Sequence, residues 1–243
     1  MNFDITYECI DNAVLLVFRP SEQLTDYEYD KLKPYIESMG GHWRERLKGF
    51  VFSLNSLERN EYSRWKEDTQ YFPTPKSVAK RVIELAELEN CKYKPYILEP
   101  SAGTGNLLDA IPNNIEYDLH AIEPECINAN TLKEKGYKVE LCSFEGFYNK
   151  YKDIKRVITH VIMNPPFSLG RDIHHTRLAY ELLKEGGTLV SIVSENSLYY
   201  ANEDSRKFNK WLKQCNAYIE PIPNGSFKES GTTVDTVIIK IVK

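Results

Sequence analysis

Asn164-Pro165-Pro166-Phe167 is the stretch of this sequence whose residue types most directly imply chemistry. The Asn164 side-chain oxygen and the Pro165 carbonyl are two acceptors in tandem, and the prolines fix that carbonyl's direction by locking φ. Two such acceptors suit the two N–H bonds of an exocyclic amino group. A nitrogen conjugated to a purine ring is a poor nucleophile, so a catalyst has to position it and make it more sp3-like rather than simply deprotonate it. Phe167 can stack on the base. Read as structure alone, the tetrapeptide is a rigid turn capping a strand. From average residue usage, a pattern of Asn, Asp or Ser, two prolines and an aromatic arises by chance in about 1% of chains this long.

A second chemical signal lies upstream. Leu98-Glu99-Pro100-Ser101-Ala102-Gly103-Thr104-Gly105-Asn106 sits where a strand ends and a helix begins, and its glycines let the backbone turn tightly and approach a ligand. No Lys-Ser/Thr follows, so it is not a Walker loop, and the third glycine of the dinucleotide fingerprint is missing. A nucleotide-like cofactor without an implied phosphate fits best, although such glycines also serve plain packing. Glu123 closes the next strand, 18 residues after Gly105, where a doubly wound fold places a carboxylate that accepts hydrogen bonds from a ribose diol.

These residues need a frame that brings strand ends together. From Pro73 onward, short apolar runs alternate with helical patterns, the sequence form of a βαβ series. Strands are predicted at Tyr96–Glu99, Tyr117–Ile122, Lys138–Leu141, Val157–Met163, Thr188–Ser194, Tyr218–Ile222 and Thr233–Val242, the last two forming an antiparallel edge pair approached through Gly231. Ser77 is the expected cap of a helix carrying Val78, Val82, Leu85 and Ala86 on one face. Ile173, Ala179, Leu182 and Leu183 mark another helix, ended by Gly186-Gly187. The fold class is α/β, a doubly wound and mainly parallel sheet.

Residues 1–70 read instead as a small α+β appendage: an apolar run Val14–Phe18, an acidic helical stretch Asp26–Ser38, and a second apolar run Gly49–Phe52. Residues 71–243 carry the chemical motifs. Residues 1–72 hold nine Lys and Arg against thirteen Asp and Glu, so the appendage is no general basic clamp. Its cluster from His42 to Lys48 reads as a solvated turn between two strands.

The chain of 243 residues is 42% hydrophobic with a net charge of -4, and its mean hydropathy is -0.47. Those values suit a soluble, cytoplasmic protein, and no apolar run approaches the roughly 18 to 20 residues of a membrane span. Cys9, Cys91, Cys126, Cys142 and Cys215 are odd in number and free of C-x-x-C pairs, which argues against a disulfide framework or a zinc site. No metal is expected. Any nucleic-acid contact has to rest on local positive charge. Candidates are Tyr148 to Lys152 with Lys155-Arg156, and the amphipathic run Arg206 to Lys213. Arg171, His174, His175 and Arg177 follow the Asn-Pro-Pro-Phe turn on the expected catalytic rim and are better placed for phosphates.

The order of Phe72-Pro73-Thr74-Pro75, the Glu99–Gly105 turn, Ile122-Glu123-Pro124 and Asn164–Phe167 resembles the amino-methylating (N6-adenine) DNA methyltransferases whose cofactor motif precedes the catalytic one. The resemblance covers residues from about 70 to the C-terminus and implies a class I, Rossmann-like sheet of seven strands with S-adenosylmethionine as cofactor. It implies that Phe72 packs over the methionine end of that cofactor and that Thr74 meets its carboxylate. Glu99, Pro100, Ala102, Gly103, Gly105 and Asn106 surround the methionine moiety, and Glu123 beside Pro124 takes the ribose. The sequence departs from the family at Ser143-Phe144, where Asp-Phe usually holds the adenine; weaker cofactor affinity, not loss of binding, is the expected result. In the late loop Asn224–Thr232, the resemblance sets Phe227 opposite Phe167 across a flipped adenine. Gly40-Gly41-His42-Trp43 and Lys48–Phe52 are similar to small phage or plasmid-borne adenine methyltransferases and support the domain boundary.

The expected substrate is therefore adenine in DNA. A duplex requires that the base be flipped, with the unpairing cost offset by stacking. No separate target-recognition domain is visible, so residues 1–70 or a protein partner supply any specificity. Asn-Pro-Pro-aromatic equally serves an RNA adenine or a protein glutamine, and a non-catalytic DNA-binding subunit retaining the fold is the alternative of another class.

Overall fold

The computed structural model describes residues 3–10, 13–20, 24–25, 29–30, 32–34, 37, 41–44, 48–53, 72–153, 157–199 and 202–243. Lys155, Arg156 and the Glu45–Leu47 portion of the basic cluster lie outside the described residues, as does part of the Asp26–Ser38 stretch. The chain divides into two compact units, Met1–Thr69 and Gln70–Lys243.

The first unit is built on a four-stranded antiparallel sheet of β1 (Phe3–Ile10), β2 (Ala13–Pro20), β3 (Gly41–Arg44) and β4 (Gly49–Ser53), in the order β1-β2-β4-β3. The apolar runs around Val14 and Phe50 become β2 and β4, paired through Leu15↔Ser53 to Phe18↔Phe50. The expectation of a solvated turn at His42 is corrected at its start. Gly41–Arg44 is a strand, because Trp43 pairs with Phe50 and packs edge-on against its ring at 4.9 Å. Phe50 is wholly buried beneath Leu24, Tyr29, Leu32 and Trp43.

The second unit is a seven-stranded sheet in the order β10-β11-β9-β8-β5-β6-β7. Its strands are β5 (Tyr96–Glu99), β6 (Asp118–Ile122), β7 (Val139–Glu140), β8 (Ile158–Met163), β9 (Leu183–Ser194), β10 (Tyr218–Pro221) and β11 (Thr236–Val242). The pairs β5/β6, β5/β8, β6/β7 and β8/β9 are parallel, whereas β11 runs antiparallel to both β9 and β10. Strand order reverses on either side of β5. The crevice at the carboxyl ends of β5 and β8 is thus the topological switch point, where open α/β sheets bind ligands.

Helices α1 (Lys76–Ala86), α2 (Cys126–Glu134), α3 (Phe144–Tyr151), α4 (Arg171–Leu182), α5 (Asn196–Tyr199) and α6 (Glu203–Gln214) cover the sheet. Successive strand residues point to opposite faces, and the core divides accordingly. Ile97, Ile162, Val190, Ile192 and Ile238 pack with α1 residues Val78 and Val82 and with Leu132 of α2. Leu98, Val161, Met163, Leu189 and Val237 pack with Phe144, Phe147, Ala179, Phe208 and Leu212 of α3, α4 and α6. Both faces of the central strands are covered, which is why they read as continuous apolar runs. Among the described residues, no helix is long and apolar enough to cross a membrane.

Three local expectations change. Pro75, not Ser77, is the N-cap of α1, and the cap carries no side-chain hydrogen bond; Ser77 lies inside the first turn. The Glu99–Asn106 turn leads not into an α-helix but into a short 3-10 turn at Leu108–Ala110, because Pro112 follows and cannot donate to a continuing helix. The third change is at Gly186-Gly187. There α4 already ends at Leu182, and Leu183 pairs with Ile158 on β8. Between that pair and the next, β9 advances five residues for two on β8. The glycines absorb this bulge: a Cβ on Gly187 would lie 2.9 Å from the Lys184 carbonyl and 3.0 Å from that of Thr159.

Candidate active site

The turn after β5 is held by the end of β6. Ala102 N–H donates to the Ile122 carbonyl at 2.9 Å, and Gly103 N–H donates to Glu123 Oε2 at 2.7 Å. Gly105 adopts φ +90°, and a Cβ there would sit 2.9 Å from Leu132 of α2, so both backbone and packing exclude a larger residue. Glu123 also accepts the Glu125 N–H at 2.8 Å, a geometry that fixes both carboxylate oxygens. Its burial raises the pKa to about 7, against the lowering pull of those two backbone donors. Glu99, 1% exposed, is pushed well above the usual carboxylate range by burial, then by Glu123 and Asp109. Its Oε2 has no hydrogen-bond partner among the described residues. Pro100, Ala102, Gly103 and Gly105 are buried with it, whereas Pro124 is exposed.

At the end of β8, Asn164 turns its amide nitrogen toward the Phe72–Pro75 segment. Nδ2 donates to the Phe72 carbonyl at 3.2 Å and to Thr74 Oγ1 at 3.0 Å. The other amide atom, Oδ1, is buried with no partner among the described residues. The assignment of the two atoms follows from chemistry, because a backbone carbonyl can only accept and the NH2 group must face it. Asn106 Nδ2 donates to the Thr74 carbonyl at 2.9 Å, and Ser230 Oγ donates to the Pro73 carbonyl at 2.6 Å. Segments from four distant parts of the chain thereby converge on one place. Pro165 is buried, and Pro166 and the Phe167 ring are half-buried, the ring resting on the α1-side core together with Phe72.

Several expected contacts fall elsewhere. Phe227 is 2% exposed and belongs to that core, so its ring is a packing element and not a surface opposite Phe167. Phe144 is likewise buried, edge-on to His175 at 5.3 Å. The Ser143 hydroxyl accepts Gly146 N–H at 3.1 Å and is the N-cap of α3. His175 is withdrawn from any phosphate: it is 5% exposed, and its Nε2 meets Glu145 Oε1 at 2.8 Å, an interaction that holds the Glu145 carboxyl down to about 2. Arg171 bonds to Ser168, Arg177 lies over the Trp211 ring at 5.5 Å, and His174 remains exposed. Leu169, two residues beyond Phe167, is 100% exposed and takes φ +56°.

Asp172 is the structural residue that sequence reasoning missed. Wholly buried, it accepts Ser194 N–H at 2.9 Å and Ser197 Oγ–H at 2.6 Å, joining the start of α4 to the end of β9 and to α5. Burial raises its pKa in spite of these donors. An aspartate in the first turn of a helix normally signals an exposed, dipole-compensating charge, and nothing local in the sequence shows that two serines close over it.

No protein-family model and no curated protein matches the chain. Solved structures do. A chain from a study of complex assembly and conformational transition in the type I R-M system matches at TM-score 0.55 and 17% identity, over 70% of this chain and 42% of that one. The type IIG restriction endonuclease BpuSI matches at TM-score 0.50 and 18% identity, over 69% of this chain and 24% of its own. The chain thus spans less than half the length of either. The likeness establishes the fold: a mainly parallel seven-stranded sheet flanked by helices, in a Rossmann-like arrangement.

Proposed function

We propose that the chain transfers a methyl group from S-adenosylmethionine to the N6 amino group of adenine in DNA. The observation that carries this reading is the Asn164 carboxamide, whose nitrogen is bonded to the Phe72–Pro75 segment and whose oxygen is buried with no partner among the described residues. A buried acceptor left without a donor costs about 1–3 kcal/mol. A substrate amino group offering an N–H relieves that cost.

In this reading Glu123 takes the ribose hydroxyls, and the Glu99–Asn106 turn with Thr74 forms the methionine end of the cofactor site. The bound cofactor supplies a sulfonium-activated methyl group. Asn164 Oδ1 and the Pro165 carbonyl accept the two amino protons, which concentrates the nitrogen lone pair perpendicular to the ring. With that methyl group supplied, Asn164 and Pro165 would hold the amino nitrogen for the transfer and pass the proton it gives up toward solvent. The type I R-M and type IIG restriction proteins that share the fold support DNA as the substrate. In this reading residues 1–70 or a protein partner read the target, or specificity is low.

Incubation with labelled S-adenosylmethionine and DNA, RNA or protein, followed by nucleoside and residue analysis, tests the reading. N6-methyladenine in DNA is expected; label confined to RNA or to glutamine would overturn the substrate, and no cofactor binding by calorimetry would overturn the enzyme. Asn164→Ala should cut transfer at least about a hundredfold, as loss of one transition-state hydrogen-bonding group does, with cofactor affinity kept within a few-fold.

A further inference from the structure

The segment Phe72-Pro73-Thr74-Pro75 presents four consecutive carbonyls, and each receives a hydrogen bond from a different side chain or element. Phe72 accepts from Asn164 Nδ2, Pro73 from Ser230 Oγ, Thr74 from Asn106 Nδ2, and Pro75 from the Ala79 N–H of α1. Prolines at 73 and 75 have no N–H and hold φ near -65°, so the strap is a rigid row of acceptors. Among the described residues, the hydrogen bond it makes through a side chain to the Asn164–Phe167 turn is at Thr74 Oγ1, 3.0 Å from Asn164 Nδ2. Thr74 itself is 5% exposed, so bulk water does not compete for that bond.

An asparagine amide has two nearly isosteric orientations, and only one leaves an oxygen facing a substrate N–H. The Phe72 carbonyl, which can only accept, selects it, and the Thr74 hydroxyl accepts the second N–H. We propose that Thr74 is a positioning residue: its hydroxyl, with the Phe72 carbonyl, holds the Asn164 amide with Oδ1 turned away from the strap and into the site. This inference rests on the reading of Asn164 as the acceptor of the substrate amino group. Because the hydroxyl keeps its own proton while accepting, Thr74 can serve the cofactor's carboxylate and Asn164 together. A role in cofactor binding alone makes a different prediction.

Thr74→Val keeps the shape and removes the hydroxyl, and Thr74→Ser restores it. At saturating S-adenosylmethionine, kcat of T74V should fall about tenfold, the worth of one hydrogen bond's orientation, and T74S should recover to within about threefold. A raised KM for the cofactor with unchanged kcat would assign Thr74 to cofactor binding alone and overturn the inference. A second arm needs neither cofactor nor activity. In NMR spectra of the free protein, the Asn164 side-chain NH2 pair, identified by its loss in N164A, should exchange slowly with water in wild type and T74S and at least tenfold faster in T74V. Rapid exchange in the wild type itself would overturn the inference even if T74V does not fold. If the wild type methylates no substrate while this arm behaves as expected, the functional reading fails and the Thr74–Asn164 coupling stands.

Discussion

Asn164 and Glu123 show how burial alters polar groups: it leaves the Asn164 oxygen without a partner among the described residues and raises the Glu123 pKa. The Glu123 carboxyl, with its pKa raised to about 7, is half protonated near neutrality. A ribose diol is best held by the ionised form, which accepts two hydrogen bonds. Cofactor affinity should therefore rise as pH goes from about 6 to 8, approaching tenfold per unit on the acidic side and levelling above 7, when measured by calorimetry; a flat profile would show the group ionised throughout. The sign for stability is opposite. The folded chain binds this proton more tightly than the unfolded chain, so the stabilisation present below about 4.5 is lost as pH rises through about 7. Leu169 makes a separate prediction. A fully exposed leucine at φ +56° gains nothing from burial and carries the roughly 1–2 kcal/mol cost of left-handed backbone. Glycine relieves that cost at some expense in unfolded-chain entropy. Leu169→Gly should raise the melting temperature by about 2–4 °C, the shift about 1 kcal/mol produces in a chain this size, and a lower value would show that the side chain is needed where it is.

Among the elements, α4 has the most demanding connection. It begins four residues after Phe167, and Asp172 ties that start to β9 through Ser194 and to α5 through Ser197. Asp172→Ala leaves a buried N–H and a buried hydroxyl without acceptors, at about 1–3 kcal/mol each. A loss of about 3 kcal/mol in urea denaturation is expected, with transfer falling further than the remaining folded fraction explains, because the turn loses its backing. Equal loss of stability and activity would reduce Asp172 to a plain structural tie. The strap at residues 72–75 is the counterpart on the other side. It has no regular secondary structure and gains its rigidity from two prolines and four accepted hydrogen bonds.

For the whole molecule, every residue argued to act on cofactor or substrate lies between Phe72 and the C-terminus. Among the described residues, both large core clusters are made of residues from the second unit. A fragment of residues 70–243 should therefore unfold cooperatively and bind S-adenosylmethionine within about threefold of the full chain in calorimetry; failure to fold would show that the first unit completes the core. The sequence by itself determined the sheet, because alternating apolar runs are local signals. It also placed Asn164 after the strand that ends at Met163 and Glu123 after the strand that ends at Ile122. What only the tertiary structure decided is which polar groups are spent on the fold. Ser143 caps a helix, His175 pairs with Glu145, Phe227 fills the core, and Asp172 is drawn inward. The polar outcomes depend on partners 3 to 30 residues away, and the packing of Phe227 on residues as distant as Val78, none of which periodicity can see. The orientation of the Asn164 amide is decided across 90 residues, by acceptors on a strap that sequence reads only as two prolines and a threonine.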